Sequence, residues 1–124
     1  MKSIKIITLF TLILMFTNCE ENNDNPIICT QNFVQGLEIN ITEKGATNLI
    51  TGAVKIIATD GGYQEILENS DPNMAFYGAG ERRGTYILTV TSDNYKTFES
   101  EPIVVTADEC HVITEKRTFE LELK

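Results

Sequence analysis

The chain has no tryptophan, a single histidine and only three prolines, and each scarcity closes off a reading. Without tryptophan there is no Cys-Trp-Cys arrangement, so an antibody-type domain is excluded. His111 alone cannot furnish a His-rich metal site, since catalytic zinc ordinarily takes three protein ligands, commonly histidines. Basic residues are also few. Ten Lys and Arg face 18 Asp and Glu, a formal net charge of −8, which argues against nucleic acid and against direct attraction to anionic lipid headgroups. No Gly-x-Ser-x-Gly elbow occurs, and Ser70, Ser92 and Ser100 all lie in polar, turn-like surroundings, so no nucleophile is paired with a base along the chain. Asp60, Asp71 and Asp93 lack the Asp-x-Asp-x-Asp-Gly spacing of a calcium loop and read as turn residues. Nothing in the sequence calls for a cofactor.

The most apolar run, Ile6 to Phe16, is also too short to span a membrane, which takes about 20 residues. It follows Lys2 and Lys5 and ends in an abrupt polar change, the pattern of a cleaved export signal over residues 1–18. Phe16-Thr17-Asn18-Cys19 resembles the lipobox of bacterial lipoproteins, with Phe16 in place of the usual Leu and Asn18 in place of Gly or Ala. Asn at that position is similar to the looser boxes of the Bacteroidetes. The resemblance implies a diacylglyceryl thioether on Cys19, cleavage before it and acylation of the new amine. One acyl chain binds a membrane marginally and two bind it stably, so three would hold the protein to the cell envelope. Residues 19–28 are then a polar tether without periodicity. Glu20 and Glu21 either form a plain acidic linker or, as they resemble, an export signal to the outer face of the outer membrane. Loss of Lys2 and Lys5 leaves 8 basic residues against 18 acidic, a mature charge of −10.

With Cys19 assigned to lipid, Cys29 and Cys110 remain. Outside the cytoplasm an even pair reads as a disulfide. Two free thiols or a redox pair are the alternative, although no Cys-x-x-Cys is present.

From residue 29 to 124 the dominant period is two. Leu37, Ile39 and Ile41 alternate with Glu38, Asn40 and Thr42, and Val54, Ile56 and Ala58 share a second face. Asp60-Gly61-Gly62 marks a tight hairpin into a strand from Tyr63 to Leu67. A short edge strand is expected at Met74 to Tyr77. After Gly84, Tyr86, Leu88 and Val90 point one way and Thr85, Ile87, Thr89 and Thr91 the other. Further strands are expected at Tyr95 to Phe98, at Ile103 to Val105 and after Cys110, with a bulge where Lys116 and Arg117 break the final alternation. No segment has a helical period. About seven strands separated by turn signals make an all-β, antiparallel β-sandwich.

Gly84-Thr85-Tyr86-Ile87-Leu88-Thr89-Val90 followed by Asn94-Tyr95-Lys96-Thr97 resembles the motif of carboxypeptidase-regulatory-like domains, with Asn94 in place of a glycine. Asp108-Glu109-Cys110-His111-Val112 is similar to small bacterial lipoproteins of that type. The resemblance covers residues 33 to 123. It implies a transthyretin-like (prealbumin-like), Ig-like sandwich, an accessory module without shared chemistry. Independently, Tyr95 just after a turn suits a tyrosine corner, its hydroxyl bonding a backbone group.

These readings converge on a non-enzymatic, lipid-anchored envelope protein. Its turns at 60–62, 69–83 and 92–94 would face a protein or glycan partner. Glu81, Arg82 and Arg83, the only basic cluster in the domain, are either a partner-contact patch or a solvated loop paired with nearby acids. A small hydrolase or metal-dependent enzyme using His111 with nearby carboxylates is the alternative from another class.

Overall fold

The computed structural model describes residues 25–71 and 75–124. The export signal, Cys19, Glu20, Glu21 and Met74 lie outside the described residues. Eight strands form: β1 (Leu37–Glu43), β2 (Val54–Asp60), β3 (Tyr63–Ile66), β4 (Phe76–Gly78), β5 (Gly84–Ser92), β6 (Phe98–Glu99), β7 (Ile103–Val105) and β8 (Glu115–Leu121). The described residues contain no helix. One sheet has the order β4-β1-β8; the other runs β3-β2-β5-β6, with β7 also paired to β5. Two sheets around one apolar core fit a β-sandwich.

Period two dictates which side chains meet. Leu37, Ile39 and Ile41 from β1 face Ile56 and Ala58 from β2 and Tyr86, Leu88 and Val90 from β5, all with essentially no exposed surface. Burying each large side chain contributes about 1.5–3 kcal/mol relative to leaving it in water. The β2–β3 hairpin closes through Gly61 and Gly62, where Gly61 takes a φ of 56° that a side chain would resist.

Two expectations need correcting. The sandwich is not wholly antiparallel, because β8 pairs with β1 in parallel from Leu37↔Glu115 to Glu43↔Leu121. The first and last strands share a sheet and enter it from the same end, after the chain has passed through the other sheet.

That seven-residue register also leaves no bulge at Lys116 or Arg117. Lys116 stands opposite Glu38 and binds it at 2.9 Å, while Arg117 binds Glu115 at 2.8 Å along the sheet edge. Charged residues at inward positions of an edge strand discourage edge-to-edge pairing.

The irregularity falls instead between β6 and β7. Three steps along β5, Tyr86 to Thr89, oppose four steps from Glu99 to Ile103. Ser100 fills the gap, its buried Oγ accepting the Leu88 N–H at 2.9 Å while its own N–H bonds Leu88 O. Pro102, two residues on, has no N–H to offer a ladder.

Candidate functional site

The turn after β4 organises this end of the molecule. Ala79 and Glu81 both hold positive φ, 52° and 47°, a conformation that costs a non-glycine residue about 1–3 kcal/mol unless its surroundings enforce it. They do enforce it. Ala79 N–H donates to Glu65 Oε1, and Ala79 O accepts from Gly36 N at 3.0 Å and Arg82 N at 3.1 Å. Glu81 N–H donates to Val34 O at 2.9 Å, and Val34 N–H returns a bond to Glu81 Oε1 at 2.8 Å. Gly36 must be glycine here, since a Cβ would lie 2.7 Å from Ala79 O.

Glu81, Arg82 and Arg83 are split three ways by this backbone. The Glu81 carboxylate meets His111 Nδ1 at 2.8 Å. Arg82 turns to the other side, where its Nη1 donates to Asp60 Oδ2 and to Tyr86 Oη, both at 2.8 Å, and its guanidinium lies 3.8 Å above the Tyr63 ring. Tyr86 Oη in turn donates to Arg82 O at 3.0 Å. The Tyr86 hydroxyl and then Asp60 hold the guanidinium more firmly protonated than usual. Arg83 lines a shallow depression of about 150 Å3 with Asp108, Glu109 and His111. The sequence expectation that arginines here pair with acids holds for Arg82.

Tyr95, expected to bond a backbone group, instead donates to Glu43 Oε2 at 2.8 Å. The corner-like bond to backbone belongs to Tyr86. The hydrogen bond to the Glu43 carboxylate pushes the Tyr95 phenol's pKa up.

His111 sits in a tight turn closed by Ala107↔Val112 and capped by Asp108, whose Oδ1 accepts the Cys110 and His111 N–H groups at 2.8 Å each. Those two amides, His111 first, hold the Asp108 carboxyl below its ordinary range. Next to it Cys29 and Cys110 form a disulfide with Cα atoms 5.2 Å apart. His111 Nε2 lies 3.0 Å from Thr30 Oγ1 and 3.1 Å from Thr30 O.

A carboxylate, an imidazole and a hydroxyl in line resemble a nucleophile relay. The Thr30 carbonyl crowds the same ring nitrogen. A protonated Nε2 donates to that carbonyl at 3.1 Å, and an unprotonated one accepts from the Thr30 hydroxyl at 3.0 Å. In either case Nδ1 faces the Glu81 carboxylate at 2.8 Å. The cluster works as a clasp binding residues 29–34 to the sandwich. Among the described residues no group of three His, Cys, Asp or Glu side chains is placed to hold a metal ion.

A larger concavity lies elsewhere, in the seam between the edge strands β3 and β4. It is an open groove of about 560 Å3, walled by the rings of Phe33, Tyr63 and Tyr77 and by Glu65 and Glu68, with Gly78 and Gly80 between them. A Cβ at Gly80 would overlap the end of the exposed Phe33 ring, which would have to shift, and one at Gly78 would press on the buried Leu67. Tyr77, Gly78 and Gly80 fall within the turn 69–83 expected to face a partner, whereas Phe33, Tyr63, Glu65 and Glu68 were not singled out. One signal was present: in Tyr63-Gln64-Glu65-Ile66 the carboxylate shares the inward face with Tyr63, while Ile66 points out and is 54% exposed.

Comparison with family models, with curated proteins and with solved structures finds no match to this chain.

Proposed function

We propose that this chain is a lipid-anchored lipoprotein of the cell envelope, held at the outer membrane, whose transthyretin-like sandwich is a non-enzymatic binding or structural module. The observation that carries the reading is the clasp. Residues 29–34, into which a lipid tether from Cys19 would lead, are fastened to the sandwich by the Cys29–Cys110 disulfide, by Thr30 to His111 and by Val34 to Glu81. A domain hung from its N-terminus needs reinforcement at that point. A disulfide also suits an oxidising compartment outside the cytoplasm. The transthyretin-like type is supported by the motif residues Tyr86, Leu88 and Val90, which form the buried face of the long strand β5.

The test is metabolic labelling of source cells with an alkyne-tagged fatty acid. Wild-type protein takes up the tag and Cys19→Ser does not; equal labelling of both overturns the lipoprotein reading. Protease shaving of the same intact cells then separates a surface position, where the domain is lost, from a periplasmic one, where it is protected.

A hydrolase using His111 is the second reading, favoured by the Glu81–His111–Thr30 alignment. His111→Ala separates the two. A folded variant that still rescues the deletion phenotype supports the binding module, and one that folds yet fails to rescue supports the enzyme.

A further inference from the structure

We infer that the groove between β3 and β4 is a docking site for an extended, lysine- or arginine-bearing segment of a partner protein, laid alongside β3. This rests on the reading of the domain as a non-enzymatic binding module.

The two seams of the sandwich are built differently. On the far side, Phe98 and Phe119 stack with centroids 4.9 Å apart, Tyr95 bridges to Leu123, and Lys96 N–H donates to Glu122 O at 2.9 Å. That seam is bridged by backbone pairing and keeps only a smaller depression, of about 300 Å3, beside Lys96, Phe98 and Glu122. On the near side the sheets are joined through the Glu68↔Tyr77 bridge and the Glu65 carboxylate on Ala79, and the groove opens between them.

The edge beside the groove is available. In an antiparallel ladder alternate residues bond their neighbour and the rest face away. Asp60↔Tyr63 closes the two-residue hairpin, Ala58↔Glu65 follows in step, and Leu67 N–H donates to Ile56 O at 2.9 Å. Gln64 and Ile66 therefore direct their N–H and C=O groups away from β2. A strand added there would make main-chain bonds to Gln64 and Ile66, and its alternate side chains would enter the space between the sheets.

What that space would accept is set by its charge. Its walls carry two carboxylates and three aromatic rings, and among the described residues no Lys, Arg or His lines it. Ring faces and carboxylates both attract a cation. Tyr63 already holds the Arg82 guanidinium over its ring, so this chemistry is in use at the groove's margin. The Tyr63 phenol is pushed up by burial first and by the Glu65 charge second. A second copy of the chain is a poor occupant, because two molecules of net charge −8 repel.

The experiment uses the full chain, 15N-labelled in detergent micelles, titrated with a synthetic seven-residue peptide of alternating Thr and Val with a central Arg. Its counterpart carries Gln at the centre. The Arg peptide should shift the Gln64 and Ile66 amides first, and the Gln peptide should bind at least about threefold more weakly. Glu68→Gln should weaken the Arg peptide by about two- to fivefold, with the rest of the spectrum unmoved.

Equal binding of the two peptides, or shifts confined to other strands, overturns the inference, as does silence at millimolar peptide. So does a β-linked hexasaccharide that moves the same amides and ignores Glu68→Gln. Mass spectrometry of the recovered peptide separates the levels. An intact peptide without shifts sinks the groove alone, whereas a cleaved one sinks the non-enzymatic reading beneath it.

Discussion

Removing the Cys29–Cys110 bond, by paired Cys29→Ala and Cys110→Ala substitutions, tests how the N-terminal arm is held. The bond joins residues 81 apart, and closing such a loop in the unfolded chain is worth about 4.5 kcal/mol on the chain-entropy model. The observed loss should be smaller. Cys29 lies on an exposed arm whose first backbone bond to the sandwich is at Val34. Cutting the disulfide therefore frees residues between 29 and 33 in the native state as well, leaving Thr30 on His111 as their main tie. Each freed backbone residue returns about 1 kcal/mol of conformational freedom. If about two are released, the net destabilisation is about 2–3 kcal/mol. With a urea slope of about 1–1.5 kcal/mol/M for a domain of this size, the midpoint should fall by about 2 M. The assay is equilibrium unfolding followed by far-ultraviolet circular dichroism, since no tryptophan is available as a probe. A shift under about 0.5 M would refute the loop-closure reasoning, and one above about 4 M would show that the arm stays docked without its disulfide.

Three other outcomes are expected. Tyr86→Phe should cost about 1–2 kcal/mol, because it strips a donor from Arg82 O and an acceptor from Arg82 Nη1 at a fully buried ring. Tyr95→Phe, which loses a bond to a less buried carboxylate, should cost less in the same melt, and equal losses would count against the assignment. Acid sensitivity follows from Asp108, Glu81 and Glu122, which are held below their ordinary ranges by the His111 and Cys110 amides, by the Val34 amide and then His111, and by Lys44 and then Lys96. Folded values depressed in this way stabilise fully above about pH 4.5 and lose that contribution as pH falls through them. Unfolding at fixed urea should be level from neutrality to about pH 5 and easier below it, with a shallower acid limb in Asp108→Asn; stability rising on acidification would refute this. Ala53, exposed with a φ of 59°, should gain about 0.5–1 kcal/mol on replacement by Gly, and a lower melting temperature for Ala53→Gly would show that the turn is not strained.

What could be read in advance depended on whether the sequence carried a local signature. β1, β5 and the β2–β3 hairpin were legible, because alternation and Asp60-Gly61-Gly62 act over a few residues. The direction of β8 was not, since a period of two is the same in parallel and antiparallel ladders. A broken alternation was equally ambiguous. At Lys116 and Arg117 it marks charges along a sheet edge, and the actual extra residue hides near Ser100, whose hydroxyl repairs the ladder from a polar side chain that looked like part of a loop.

The partners of His111 were illegible for a simpler reason. Thr30 lies 81 residues away and Glu81 lies 30 away, and only the fold brings them together. Glu65 is the instructive case. Its charge on an inward position of β3 contradicted the pattern of its neighbours, and a strand places a carboxylate inward only where something meets it. Part of that answer is the Ala79 amide, which one carboxylate oxygen serves. The rest is the groove, where Glu65 stands with Glu68 among three rings, with no cation among the described residues of the lining. The broken alternation at Glu65 is a local feature of the sequence, interpretable only once β4 and Phe33 were in place opposite it.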